Sequence, residues 1–219
     1  MSEPEFIVDS PAGSPALARL LLAHGAGAAM TSPFMASIAE MLAERGIEVI
    51  RFEFVYMAAR RHGGKRRPPP KADTLCGEYV AAVEKAVSGA TGARQPLLIG
   101  GKSMGGRVAS LVADELHGAG RIAGLVCLGY PFHPTGKPEQ LRTAHLASLA
   151  TPALFVQGER DPFGNRAEVE GYPLSPRIAM HWAGDGDHDL GPRGGKGFTR
   201  RGNLEASADA VAAFAQSLT

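Results

Sequence analysis

The chain has 219 residues, 44% of them hydrophobic and 21% charged, with a formal net charge of +1. This composition excludes a disordered or fibrous chain, and the balanced charge gives no global pull toward nucleic acid or membrane. Glycine (28) and proline (16) make up about one residue in five against a usual ~12%, so the chain turns often. At about 150 residues per domain the length suits a single domain over 1–219, with a core that needs no staples.

Two cysteines, Cys76 and Cys127, cannot build a disulfide framework or a four-ligand zinc site. The opening MSEPEFIVDS is acidic and lacks a basic and an apolar region, so no secretion signal is expected. No run approaches the ~18 apolar residues of a membrane span. The expected location is cytoplasmic.

In chain order, Leu17–Ala23 reads as a buried strand ending at HGAG. Ser32 and Pro33 open a helix through Arg45, with Phe34, Ile38, Met41 and Leu42 on one face. Gly46 ends it, and Ile47–Phe54 is the next strand. Residues 57–72, with two glycines and three consecutive prolines, read as a loop. Helix resumes from Asp73, a plausible N-cap, to Ser88. Pro96–Gly100 is a short strand, Met104–His117 a helix and Ile122–Leu128 another buried strand. The loop YPFHPTGKPE follows, then a strand at Pro152–Gln157, a weak helix near Asn165–Glu170, a strand at Arg177–Trp182 and a final helix, Leu204–Ser217. The strands are apolar on both faces and alternate with helices. That pattern predicts a three-layer α/β/α sandwich with a mainly parallel sheet of six or seven strands.

Gly101-Lys102-Ser103-Met104-Gly105 matches G-x-S-x-G, a pattern that a glycine-rich chain yields by chance about one time in five. Its setting adds weight, because Ser103 falls between a short apolar strand and an amphipathic helix, where a nucleophile elbow requires it. The sharp turn strains the backbone at the serine, and flanking Cβ atoms would clash, hence Gly101 and Gly105. In this architecture the orienting acid and then the base follow the nucleophile along the chain. Asp161 lies just past the strand Pro152–Gln157, and His188 just past Arg177–Trp182, both at the edge where parallel sheets open their ligand crevice. Taken singly, each is unremarkable: Ser103 as a helix cap, Asp161 as a turn former before Pro162, His188 as one of seven histidines. Their joint order and placement predict a catalytic set. The oxyanion hole is expected from the amides of Ala26, in the glycine-rich HGAG loop, and Met104.

The sequence resembles the α/β-hydrolases. Within them it is similar to the hydrolase-like domain of the testis-expressed proteins and of a subunit of the non-specific-lethal chromatin acetyltransferase complex, with bacterial relatives. The resemblance rests on HGAG at 24–27, SPFM at 32–35, YMAARR at 56–61, RRPPP at 66–70, GKSMGGR at 101–107, LGYPFHP at 128–134, GKPE at 136–139, FVQGERDPFG at 155–164 and GDHDL at 186–190 read across Asp187. Val55 departs from the proline expected before the tyrosine, which bears on loop geometry alone. The resemblance implies a single-domain α/β-hydrolase fold without a large lid. It implies no particular substrate, and the chromatin members work within assemblies.

Other signals are weaker. A P-loop would need glycine at 96, where Pro96 removes an amide from the phosphate cradle. Asp185-x-Asp187-x-Asp189 suggests a calcium loop, but Leu190 replaces the turn glycine and Lys196 the closing glutamate. No histidine spacing supports a metal site, and no cofactor is expected. His24 reads as packing behind the oxyanion loop. Arg60, Arg61, Lys65, Arg66, Arg67 and Lys71 form one basic group, and Arg193, Lys196, Arg200 and Arg201 a second. The first is either a rim that steers an anionic substrate or a solvated loop. With few interleaved aromatics, neither group reads as a nucleic-acid groove.

The residues therefore predict an esterase-like serine hydrolase acting on a small acyl substrate, with Ser103, Asp161 and His188 catalytic. Arg60, Arg61 and Tyr130, which opens the loop 130–139, are expected to touch substrate. A non-catalytic binding or scaffold module on the same fold is the alternative.

Overall fold

The computed structural model describes residues 4–13, 15–61, 63, 68–89, 95–194 and 197–218. Seven strands form one sheet: β1 (Phe6–Asp9), β2 (Ala18–Ala23), β3 (Ile47–Phe52), β4 (Leu97–Lys102), β5 (Gly124–Leu128), β6 (Ala153–Gly158) and β7 (Ile178–Ala183). Their order is β1-β3-β2-β4-β5-β6-β7. β1 runs antiparallel to β3, and every other neighbouring pair is parallel.

The alternation of side chains along each strand sorts the core into two layers. Leu20, Leu22, Val49, Leu98, Val126 and Val156 pack beneath α1 (Pro33–Ala43) and α6 (Arg200–Gln216). Leu21, Ala23, Ile50, Ile99, Leu125 and Phe155 face α3 (Cys76–Ser88), α4 (Met104–Gly118) and the 3-10 turn Ala72–Leu75. Strands β2, β4, β5 and β6 are buried on both faces, which is why they read as continuous apolar runs. Each fully buried leucine there contributes about 1.5–3 kcal/mol.

The short helices α2 (Val55–Arg61) and α5 (Arg166–Val169) lie in connections. Three expectations change. β1 is an extra edge strand. The segment 57–72 is not all loop, since α2 continues to Arg61 and the 3-10 turn starts at Ala72. The reason is a long-range cap: the Glu78 carboxylate accepts the Val55 amide at 2.7 Å, a partner no local pattern reveals. Asp73 lies inside the 3-10 turn, and the N-cap of α3 is Leu75.

The topology fixes where a site can form. From β2 the chain moves out to β3, then returns to β4 on the other side of β2. The strand order thus reverses between β2 and β4, and a crevice opens beyond their carboxyl ends. Ala23 at the end of β2 is in register with Gly101 on β4, so the HGAG loop and Ser103 leave the sheet side by side.

Candidate active site

β4 runs straight into Ser103, and α4 begins at the next residue. Ser103 has φ 53° and ψ −116°, a backbone state rarely tolerated by a residue with a side chain. The turn is so tight that a Cβ on Gly101 would lie 2.4 Å from the Gly105 carbonyl carbon. One on Gly105 would lie 2.6 Å from the His24 carbonyl oxygen. The Ser103 amide donates to the Leu128 carbonyl at 2.9 Å, tying the turn to β5.

Three side chains from separate strand ends meet here. Ser103 Oγ lies 2.9 Å from His188 Nε2, and His188 Nδ1 lies 2.8 Å from Asp161 Oδ2. Asp161 is fully buried. A buried carboxylate needs donors. Oδ1 accepts the Phe163 amide at 2.9 Å, and Oδ2 accepts Gln157 Nε2 at 3.0 Å. Because Asp161 only accepts, His188 Nδ1 carries the proton and Nε2 is left to accept from the Ser103 hydroxyl. The Phe163 ring packs on the imidazole, with centroids 4.4 Å apart.

The loop bearing His188 is braced by charge. Lys102 Nζ donates to the His188 carbonyl at 2.8 Å and pairs with Asp189 at 3.2 Å. Burial lowers the Lys102 pKa, and Asp189, Asp161 and Asp187 act to restore it. Asp187 Oδ1 accepts the amides of Asp189 and Gly191. Asp185 gathers both Arg160 and Arg193, and hydrogen bonds from Arg193 hold its carboxyl well below the usual range. All three aspartates of the calcium-like stretch are thus engaged by protein. Among the described residues no group of three or more His, Cys, Asp or Glu side chains could hold a metal.

On the β2 side His24 is fully buried, and burial drops its pKa to about 4. Its Nε2 accepts the Phe54 amide at 3.2 Å, so Nδ1 is the protonated nitrogen and donates to the Gly25 carbonyl at 2.6 Å. In a trans peptide the N–H points opposite the C=O. Pinning the Gly25 carbonyl inward therefore turns the Ala26 amide outward. Tyr56 Oη fixes the next peptide by donating to the Ala26 carbonyl at 3.0 Å. The Ala26 amide donates to no group among the described residues. Met104, first in α4, also has an amide without an intrahelical acceptor. Gly25 approaches Ser103, since a Cβ on it would lie 3.7 Å from the serine Cβ.

The residues expected to touch substrate fare differently. Arg60 lies over the Tyr56 ring at 5.3 Å and contacts Met57 Sδ at 3.7 Å, and Tyr56 itself reaches the HGAG loop at the Ala26 carbonyl. The side chain of Arg61, and residues Lys65, Arg66, Arg67 and Lys196, lie outside the described residues. Tyr130 must be corrected. It is fully buried, stacked among Phe132 and Phe155, with its hydroxyl donating to the Arg142 carbonyl at 2.9 Å. It belongs to the core because β5 feeds straight into it. In the second basic group, Arg193 is held by Asp185 and Arg201 by Glu205. Sequence reasoning missed Gln157, Tyr56 and the bracing role of Lys102, although all three sit inside stretches that carried the resemblance.

A mainly parallel sheet thus brings a serine, a histidine and an aspartate together at its carboxyl edge. The model of the alpha/beta hydrolase domain family matches residues 16–216, and the chain belongs to that family. Solved structures agree on the fold. A dienelactone hydrolase from Anabaena variabilis is 19% identical with a TM-score of 0.72, covering 99% of each chain. An esterase from Pyrococcus furiosus is 16% identical with a TM-score of 0.70, covering 99% of this chain and 93% of its own. A Xanthomonas campestris protein described as a serine hydrolase without a lid is 17% identical with a TM-score of 0.66, covering 95% and 89%. The fold is that of the α/β-hydrolases. Among the described residues the connection between β5 and β6 holds only loop and the 3-10 turn Ala144–Ser148, with no lid domain. No described helix is long and apolar enough to cross a membrane.

Proposed function

We propose that this protein is a serine hydrolase that cleaves an ester or thioester of a small substrate through an acyl-enzyme. The observation that carries the reading is the hydrogen-bonded line from Ser103 Oγ through His188 to buried Asp161, starting from a serine in strained backbone. His188 Nε2 takes the Ser103 proton as Oγ attacks the acyl carbonyl. Asp161 holds the imidazole in the required tautomer and stabilises its charged form. The outward amides of Ala26 and Met104 receive the oxyanion. His188 then protonates the departing alcohol or thiol, and activates the water that releases the acid and restores Ser103. The similar structures include a dienelactone hydrolase and esterases, which supports acyl chemistry over other uses of the fold. Resemblance to the testis-expressed and chromatin-complex proteins supports a compact, unlidded site open to small substrates. Arg60, over the Tyr56 ring, is a candidate for steering an anionic one.

A fluorophosphonate probe tests this reading. The native protein should be labelled, and folded Ser103→Ala should not. His188→Ala should lose turnover of p-nitrophenyl acetate to the level of the blank. A folded native protein that takes no label would favour the binding or scaffold module.

A further inference from the structure

The charge of a buried histidine follows from its neighbours, because each ring nitrogen either donates or accepts. His24 has one carbonyl and one amide against its ring, a set that a neutral ring satisfies. His133, in the loop after β5, has a different set. Its side chain is 3% exposed. Nδ1 lies 2.8 Å from the Pro134 carbonyl oxygen, and Nε2 lies 3.3 Å from Glu168 Oε2. A carbonyl and a carboxylate only accept. With a single ring proton, one nitrogen would turn a bare lone pair toward an oxygen, out of reach of water. The ring that fits carries both protons, and Glu168 answers its charge. Among the described residues nothing else forms a hydrogen bond or ion pair with this ring.

What His133 holds is the turn that carries Asp161. Its own amide donates to the Phe163 carbonyl at 3.2 Å. Glu168, the far partner of its ring, accepts the Asn165 amide at 2.9 Å through the same Oε2, and Asn165 Oδ1 accepts the Glu168 amide at 3.2 Å. The backbone and ring of one residue thus grip the turn 161–165 at Phe163 and at Asn165. Between these points Gly164 is pressed on the neighbour of His133, since a Cβ there would lie 2.8 Å from the Phe132 ring. Inside the turn Phe163 donates its amide to Asp161 Oδ1 at 2.9 Å and lays its ring on the His188 imidazole. Slack at His133 therefore reaches His188 twice, through Asp161 and through the Phe163 ring. We propose that His133 is a positioning residue for Ser103, His188 and Asp161: as an imidazolium it fastens the loop after β5 to the turn 161–165, and so holds Asp161 and Phe163 against His188. The fastening is electrostatic, so it loosens when the ring loses its second proton. This inference rests on the hydrolase reading for its kinetics but not for its spectroscopy.

Nitrogen NMR of histidine-labelled protein tests the charge, with the His133 signals assigned by their loss in His133→Gln. In the native protein at neutral pH both ring nitrogens should carry protons. Glu168→Gln keeps a side chain that can cap Asn165 but removes the charge, and the ring should then carry one proton. A singly protonated ring in the native protein, or one still doubly protonated in Glu168→Gln, overturns the proposal. The downfield proton of the hydrogen bond between His188 and Asp161 reports the positioning. It should shift or broaden in His133→Gln, and an unchanged resonance overturns the proposal. Turnover of p-nitrophenyl acetate supplies the kinetics, with folding checked by circular dichroism. In His133→Gln kcat should fall about fivefold, with KM within about threefold. As the pH rises, the native protein should lose kcat by the same factor where NMR shows the second proton leaving. That step should be missing from both His133→Gln and Glu168→Gln, so the second variant carries the test if the first does not fold. A residue that only props the structure would lower stability and leave the shape of the pH profile alone, and that result overturns the proposal. A protein that turns over no ester, yet shows the doubly protonated ring and the perturbed His188 proton, supports the positioning role and removes the hydrolase reading instead.

Discussion

Gln157 donates from Nε2 to Asp161 Oδ2 at 3.0 Å, the same carboxylate oxygen that faces His188 at 2.8 Å. The Tyr130 and Gly164 carbonyls each lie 3.1 Å from that nitrogen, so an amide nitrogen ringed by three oxygens holds the acid from behind. Gln157 is fully buried, and its own Oε1 has no partner among the described residues. An unsatisfied buried acceptor costs about 1–3 kcal/mol, which suits a residue retained for position rather than stability. Gln157→Met should lower kcat about tenfold, in line with the ~1.5–3 kcal/mol of a hydrogen bond to a charged group. Its unfolding midpoint in urea should change little. Gln157→Glu should lose more, since a second carboxylate would lie against Asp161. Equal kcat in all three proteins would remove Gln157 from the positioning of Asp161.

The glycines of the serine turn and those elsewhere should respond in opposite ways. Gly105→Ala forces a Cβ to within 2.6 Å of a backbone oxygen, so a backbone segment must move. Activity should fall by orders of magnitude, with stability reduced. Gly77 in α3 has nothing within 4 Å of its would-be Cβ. Gly77→Ala should stabilise the protein by about 0.4–1 kcal/mol through the unfolded chain. Thermal unfolding of the two variants measures both effects.

The central strands and the order Ser103, Asp161, His188 were legible because both rest on local patterns: apolar runs ending in glycine-rich turns, with polar residues just past the runs. What escaped depends on partners distant in sequence. β1 is four half-exposed residues whose strand character comes from pairing with β3. α2 owes its start to Glu78. Gln157 reads as one more residue in a strand, since nothing in FVQG says which way its amide points. Tyr130 looked like a loop aromatic, but the strand before it carries it into the core.

His24 makes stability depend on acid. Its pKa is about 4 in the fold against 6.5 in the unfolded chain. Between these values the unfolded state binds more protons, so stability is full above about pH 6.5 and declines as the pH falls toward 4. The loss attributable to His24 is about 3 kcal/mol. Protonation would also break the acceptance of the Phe54 amide and disturb the Gly25 loop. His24→Gln, which cannot titrate, should show a shallower loss between pH 6.5 and 4.5 in urea unfolding. A slope equal to that of the native protein would assign the acid sensitivity to other groups.

Lys102 links β4, which leads into Ser103, to the loop that carries His188. Its side chain is 8% exposed, lies over the Phe34 ring at 5.3 Å and grips the His188 carbonyl, while its counter-charge Asp189 is 53% exposed. Lys102→Met keeps the buried stem and removes the tether, and an exposed Asp189 loses little when left alone. The expected result is kcat lowered about tenfold with KM within threefold, because the imidazole is less often in line with Ser103 Oγ. Stability should hold or rise, since a buried ammonium no longer has to be desolvated. The pH dependence provides a second readout. Burial holds the Lys102 pKa below its unfolded value, so below pH 10.5 the unfolded state binds more protons and native stability climbs with pH across that window. Lys102→Met should flatten that climb. A variant with native kcat and the same alkaline slope would leave Lys102 neither tether nor titrating group.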